Sequence, residues 1–168
     1  MPMQISLEEA RQLSPLGITP KAGEQMISTL NRVLADEFIL FTKTLNFHWN
    51  IRGPQFASLH ALLDSQYHEI LEIMDSIAER VKMARGFPVA TVGHIQEESS
   101  LTEGSSGHSK HLKTLLELVR DHLSIEAEIT GALEGNVFDA DPGTEDFITG
   151  VLKRHQKITW MLQSHLEL

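Results

Sequence analysis

Four side chains on one helical segment have the types and spacing of metal ligands. His60 and Asp64 are four residues apart, and so are Asp75 and Glu79. Residues four apart lie on one face of an α-helix. The step from Asp64 to Asp75 is close to three full turns, so the sequence predicts that all four share one stripe. Imidazole and carboxylate ligands without sulfur suit Fe(II), Mn(II) or Zn(II).

The length of the helix prevents these four side chains from serving one ion within it. His60 and Asp75 are separated by about 22 Å along a helix that rises 1.5 Å per residue. Either another helix of the same chain completes each pair, or a second chain does. If this helix packed antiparallel to the same helix of a two-fold-related chain, His60 and Asp64 of one chain would meet Asp75 and Glu79 of the other. The symmetry would produce two equivalent sites. A lone His–Asp pair at this spacing is more often only locally hydrogen-bonded.

Other metal motifs are absent from the sequence or weaker. None of the nine histidines has Asp or Glu three positions before it, which argues against the Glu-x-x-His motif of di-iron sites within one chain. There is no His-Glu-x-x-His, so a zincin protease is excluded. His108 and His111 are three apart and could bind a second metal. The remaining histidines have no spacing that singles them out: His68, His94, His122, His155 and His165.

The helix that carries the stripe is one of four predicted from apolar residues recurring every three or four positions. These helices cover about residues 20–47, 54–84, 109–133 and 144–165. The connection 85–109 is rich in Gly, Ser and Thr, with a short helix predicted near 97–103. We expect Gly135 and Asn136 to end the third long helix and Thr144 to cap the fourth. The fold class is therefore all-α, a four-helix bundle with a long crossover between helices two and three.

Composition limits the function classes. The 168 residues predict one domain, with 1–19 as an N-terminal extension. The absence of cysteine excludes disulfides and thiol chemistry. Without a signal peptide or a long apolar run, we expect a cytoplasmic protein without membrane contact. The net charge of −9, with no basic arm in the sequence, disfavours DNA binding.

Two segments carry a resemblance to a known family. The run from His48 through Gly53, with Leu59-His60 five residues later and then Asp64, resembles the first signature of the Dps proteins (DNA-binding proteins from starved cells). The run from Met74 to Arg80 is similar to the second, and the end of the chain to the family's last helix. The family usually has glycine where this chain has Arg85.

The resemblance implies a ferritin-like miniferritin assembled as a dodecamer. Its ferroxidase sites would lie at the dimer two-fold, with His48, His60 and Asp64 from one chain and Asp75 and Glu79 from the partner. It implies that Fe(II) is oxidised, preferentially by hydrogen peroxide, and stored as Fe(III) in the hollow shell. This protects against oxidative damage without an organic cofactor.

Three further residues and two alternative functions accompany this interpretation. Trp49, beside His48, could donate an electron, although packing is the simpler role for both Trp49 and Trp160. Asp141 and Asp146 are candidates for an acidic ion pore, or they cap the last helix. The alternatives are a DNA-compacting protein of starved cells, and a helical structural protein with an accidental motif.

Overall fold

A computed structural model describes residues 6–8, 14–104 and 111–166. This part of the chain forms helices and no strand. The helices are α1 (Pro20–Asn50), α2 (Phe56–Met83), the short α3 (Val92–Glu98), α4 (His111–Glu134) and α5 (Pro142–Ser164).

Side-chain contacts fix the directions of the four long helices. The His48 ring meets the His60 ring, and Phe41 meets Tyr67, so α1 and α2 are antiparallel. Arg32 pairs with Glu128, and Lys43 pairs with Asp121, so α4 is antiparallel to α1.

As a result α2 and α4 run in the same direction, and the connection between them must return along the bundle. The 28 residues of α2 span about 42 Å, which explains why the crossover is long. The predicted all-α bundle with this crossover is confirmed.

The core is a column of apolar side chains contributed by every helix. Residues at steps of three and four on α1 and α2 point inward, because the turn of 3.6 residues returns them to one face. The side chains of Met26, Leu30, Leu63, Ile70, Ile77, Leu118, Ile129, Ile148 and Leu162 are fully buried. No helix in the described ranges is both long and apolar enough to cross a bilayer.

Four predicted boundaries are wrong. The second long helix begins at Phe56, two residues after its predicted start. The short helix α3 begins five residues before the predicted start, and Ser99 and Ser100, which follow it, bind the buried Asp36 carboxylate instead of continuing the helix. The first long helix continues through Asn50. The last begins at Pro142, and its N-cap is Asp141, not Thr144. Proline is tolerated at the first helical position, where its missing N–H has no partner to lose. The predicted stop at Gly135 is confirmed.

Candidate metal centre

The carboxyl end of α1 and the first turns of α2 hold two imidazoles against each other. The His48 and His60 rings stack with centroids 3.8 Å apart and an interplanar angle of 23°. His48 Nδ1 lies 3.1 Å from the backbone oxygen of His60, and His60 Nδ1 lies 3.0 Å from that of His48. A carbonyl oxygen only accepts, so both Nδ1 atoms carry the hydrogen and donate. Each neutral ring therefore keeps its free lone pair at Nε2, as a metal ligand requires.

Asp64 adds a carboxylate to this pair of imidazoles. Its Oδ1 lies 3.9 Å from His48 Nε2. One ion with bonds of about 2.0–2.2 Å can contact both atoms. Tyr67 donates a hydrogen bond of 3.1 Å to the same Oδ1, and its ring packs edge-on against His48. Partial burial, and then the hydrogen bond to Asp64, raise the pKa of Tyr67, so the phenol remains a donor.

The acidic residues of α2 divide into two groups by their partners. Glu69 and Glu72 both pair with Arg154 of α5, at 2.8 and 2.9 Å. Asp75 and Glu79 are exposed, and neither forms an ion pair or hydrogen bond with a residue in the described ranges. Arg80, the nearest cation on the same helix, is directed to Asp141 instead. The stripe thus leaves two carboxylates available to a ligand from outside the chain.

The structure keeps the two halves of the predicted site apart. His48, His60 and Asp64 lie together near the start of α2, and Asp75 and Glu79 lie three to four turns further along it. Within the described ranges, no three His, Asp or Glu side chains are grouped to hold one ion. His108 and the side chain of His111 lie outside the described residues.

The structure shows the surroundings of the two tryptophans and of the two acids predicted to line a pore. Trp49 is 68% exposed and Trp160 65% exposed, so packing in this chain's core is the wrong role for both. The Asp141 carboxylate accepts hydrogen bonds from Thr144 and Arg80. Burial opposes ionisation of Asp141, but these hydrogen bonds and the Arg80 charge lower its pKa. Asp146 is exposed on α5, and a pore role for both acids stays a prediction.

Two groups of polar side chains were not predicted. Tyr67 and His68 adjoin Asp64, and His68 stands four residues after it, a spacing that could have drawn attention. The second group is buried between three helices. His155 Nε2 lies 2.6 Å from Glu37 Oε1, and His155 Nδ1 lies 2.8 Å from His122 Nδ1. No motif marks this group, because its members come from distant parts of the sequence.

Comparison with known proteins defines the class first. A family model described as Ferritin, a ferritin-like domain, matches residues 27–168, which is most of the chain. Together with the antiparallel helix pairs and their long crossover, this match defines a ferritin-like bundle.

Individual relatives then define the family. DNA protection during starvation protein 2 of Bacillus anthracis is 35% identical over 145 residues, covering 86% of this chain and 98% of that protein. DpsC from Streptomyces coelicolor matches with a TM-score of 0.88 and 31% identity, over 92% of this chain and 90% of that chain. Dps from Thermosynechococcus elongatus matches with a TM-score of 0.82 and 30% identity, over 88% and 94% respectively. The chain belongs to the Dps family, as the two sequence signatures predicted.

Proposed function

We propose that this protein is a ferroxidase that stores iron, with each iron site shared between two chains. The observation that carries the proposal is the pair of tethered imidazoles. In both His48 and His60, Nδ1 donates a hydrogen bond to a backbone carbonyl, so Nε2 is available to bind a metal ion. Membership of the Dps family supports iron as the cargo.

The ligand chemistry suits both oxidation states of iron. Neutral imidazoles bind Fe(II) and leave it oxidisable, whereas carboxylates stabilise the harder Fe(III) ion. His48, His60 and Asp64 supply one half of the site, and the partner's Asp75 and Glu79 supply the other. Two ferrous ions, one hydrogen peroxide and two waters give two ferric oxyhydroxide units and four protons. Both electrons reach one peroxide, so no hydroxyl radical is released.

The surface around the stripe supports a two-chain site. An apolar groove of about 240 Å³ borders Asp75 and is lined by Leu71, Met74, Pro88 and Val89, among others. Leu71 is 47% exposed and Phe56 45% exposed on the same helix. Burial of such apolar area would drive two copies together. Antiparallel contact along α2 would place both half-sites of one copy opposite the complementary halves of the other.

Mixing two inactive variants tests the shared site. One variant carries His48→Ala with His60→Ala, and the other carries Asp75→Ala with Glu79→Ala. We expect each alone to lose rapid Fe(II) oxidation by peroxide. When the two variants are co-expressed at equal levels, half of the dimers contain one chain of each variant. In such a dimer, one of the two sites is intact and the other lacks both halves. We therefore expect about a quarter of the wild-type rate.

The matched control mixes variants that damage the same half, His48→Ala with His60→Ala on separate chains. Every site then lacks one imidazole, so the rate should stay low. If the first mixture also stays inactive while the shells assemble, the iron site does not form across two chains. A gel shift at low salt without iron examines the DNA-compacting alternative, which the net charge of −9 disfavours.

A further inference from the structure

Tyr67 is the only tyrosine in the sequence, and three other rings surround its own. Its ring packs edge-on against His48 and Phe41 of α1, with centroids 5.2 and 6.2 Å away respectively. On α2 it lies 4.2 Å from the ring of His68, tilted by 30°. Contacts with two helices hold the Tyr67 ring in one place, so its hydroxyl has a fixed position as well.

That hydroxyl donates a hydrogen bond of 3.1 Å to Asp64 Oδ1. The Asp64 side chain is 49% exposed, and a half-exposed carboxylate on a helix surface populates several rotamers unless a partner selects one. Among the described residues, Tyr67 supplies the hydrogen bond that this carboxylate accepts. The same Oδ1 lies 3.9 Å from His48 Nε2. The phenol therefore holds the carboxylate oxygen that faces the free nitrogen of His48.

The two imidazoles beside Asp64 do not hold its carboxylate. His48 Nδ1 donates to the His60 backbone oxygen, and His68 Nδ1 donates to the Asp64 backbone oxygen at 2.8 Å. Neither ring directs this N–H at the carboxylate, and the neutral His48 ring has a lone pair at Nε2. A carboxylate oxygen has two lone pairs, so Oδ1 can accept from Tyr67 and still bind an ion.

We propose that Tyr67 is a positioning residue of the iron site, whose hydroxyl holds Asp64 where its Oδ1 and His48 Nε2 can reach one ion. Tyr67 does not contact the ion itself. The inference rests on the proposed function, because it requires His48 and Asp64 to be ligands. Without the hydrogen bond, the ion has to order the Asp64 side chain, and the lost rotamer freedom lowers the affinity for the ion.

Cobalt binding tests this role without relying on iron oxidation, because Co(II) is a divalent first-row ion that binds nitrogen and oxygen ligands. Metal-free shells are titrated with Co(II) under argon, and the dissociation constant is measured by calorimetry. Tyr67→Phe keeps the ring and removes the donor, and we expect it to raise the dissociation constant about 10- to 100-fold. Ser65→Ala is the matched control, since the Ser65 hydroxyl donates to the Leu62 carbonyl and not to Asp64. It should bind Co(II) as tightly as the wild type.

The same substitution in an Asp64→Ala background shows whether Tyr67 acts through Asp64. We expect Tyr67→Phe to cause no further loss of Co(II) affinity there, because the carboxylate that it positions is gone. An equal loss in both backgrounds would mean that Tyr67 acts on the packing of α1 against α2, and would overturn the inference. Ultraviolet resonance Raman spectra of the single tyrosine give an independent check. The signal of a phenol that donates to a carboxylate should disappear in Asp64→Ala and persist in Ser65→Ala.

The results separate this inference from the proposed function. If Tyr67→Phe binds Co(II) as tightly as Ser65→Ala, while His48→Ala with His60→Ala binds it weakly, Tyr67 has no positioning role and the proposed function stands. If the double histidine variant loses neither Co(II) affinity nor iron oxidation, the proposed function and this inference both fail.

Discussion

Two pairs of histidines lie close together in the described part of the chain, and they differ in what the ring nitrogens bind. In the outer pair, His48 and His60, each Nδ1 donates to a backbone carbonyl and each Nε2 is left over. In the inner pair, His122 and His155, the two Nδ1 atoms bind each other and His155 Nε2 binds Glu37. Both groups combine two imidazoles with a carboxylate, so residue types alone do not distinguish them.

Burial of the ring nitrogens decides which pair can take a ligand. Backbone tethers orient the outer rings and leave both of their Nε2 atoms unbonded, whereas in the core both nitrogens of His155 are hydrogen-bonded and His122 Nε2 is buried. Glu37, His122 and His155 are all fully buried. Within the described ranges, Glu37 Oε2 and His122 Nε2 are buried without a hydrogen-bond partner. We therefore propose the outer pair as iron ligands and the inner group as part of the structure of the bundle.

The largest expected effect is on the inner group. Glu37→Ala removes the acceptor of His155 and leaves a polar ring unpaired in the core. We expect the free energy of unfolding to fall by about 1–3 kcal/mol, measured by urea denaturation. We expect iron oxidation per assembled shell not to change, because Glu37 lies outside the proposed iron site.

A combined substitution serves as the control for this change. Replacing all three members of the group, with Glu37→Leu, His122→Leu and His155→Leu, leaves no polar ring unpaired there and should cost less than Glu37→Ala alone. An equal or greater loss in the triple variant would show that the partnership is not what stabilises this region.

The second effect is a pH dependence of stability that arises from the buried His122. Burial, and then the nearby His155, lower the pKa of His122 well below its usual value. In the unfolded chain a histidine has a pKa of about 6.5, so below that pH the unfolded state binds a proton that the folded state does not. Stability should then fall with decreasing pH by up to about 1.4 kcal/mol per pH unit.

The measurement is the urea midpoint at pH 7, 6 and 5 for the wild type and His122→Leu. We expect the variant to be less stable at pH 7 but to lose less stability on acidification. Parallel pH profiles for the two proteins would show that His122 is not the group that resists protonation.

The smallest expected effect is on the stability of the outer pair. His60→Gln removes an imidazole that is only partly buried, and an amide can still donate to the His48 carbonyl. We expect a change in unfolding free energy of about 1 kcal/mol or less, together with a clear loss of iron oxidation. A loss as large as that of Glu37→Ala would mean that the outer pair is also structural.

The positions of the candidate ligands were largely predictable because most of them share one helix. The spacing of His60, Asp64, Asp75 and Glu79 follows from helix geometry alone, and the structure keeps that order. His48 was predicted as a ligand only from the signature motif. Its contact with His60 joins α1 to α2. His68 has the same spacing from Asp64 as His60 does, yet spacing could not show that its Nδ1 would bind a backbone carbonyl.

The inner group was not predictable, because its geometry depends on how three helices pack. Glu37 and His155 are 118 residues apart in sequence, and no local pattern relates them. The position of α3 was missed for a similar reason, since the segment after it is held by the buried Asp36 of α1. The start of α5 was predicted two residues too late, because Asp141 caps the helix and Pro142 occupies its first position.

Asp36 has a consequence for the order in which the chain folds. Its carboxylate accepts hydrogen bonds from Ser99, Ser100 and Leu101, which are 63 to 65 residues away in sequence. Closing so long a loop costs entropy that only the assembled α1–α2 hairpin can offset. We therefore expect the crossover to dock late, after that hairpin has formed.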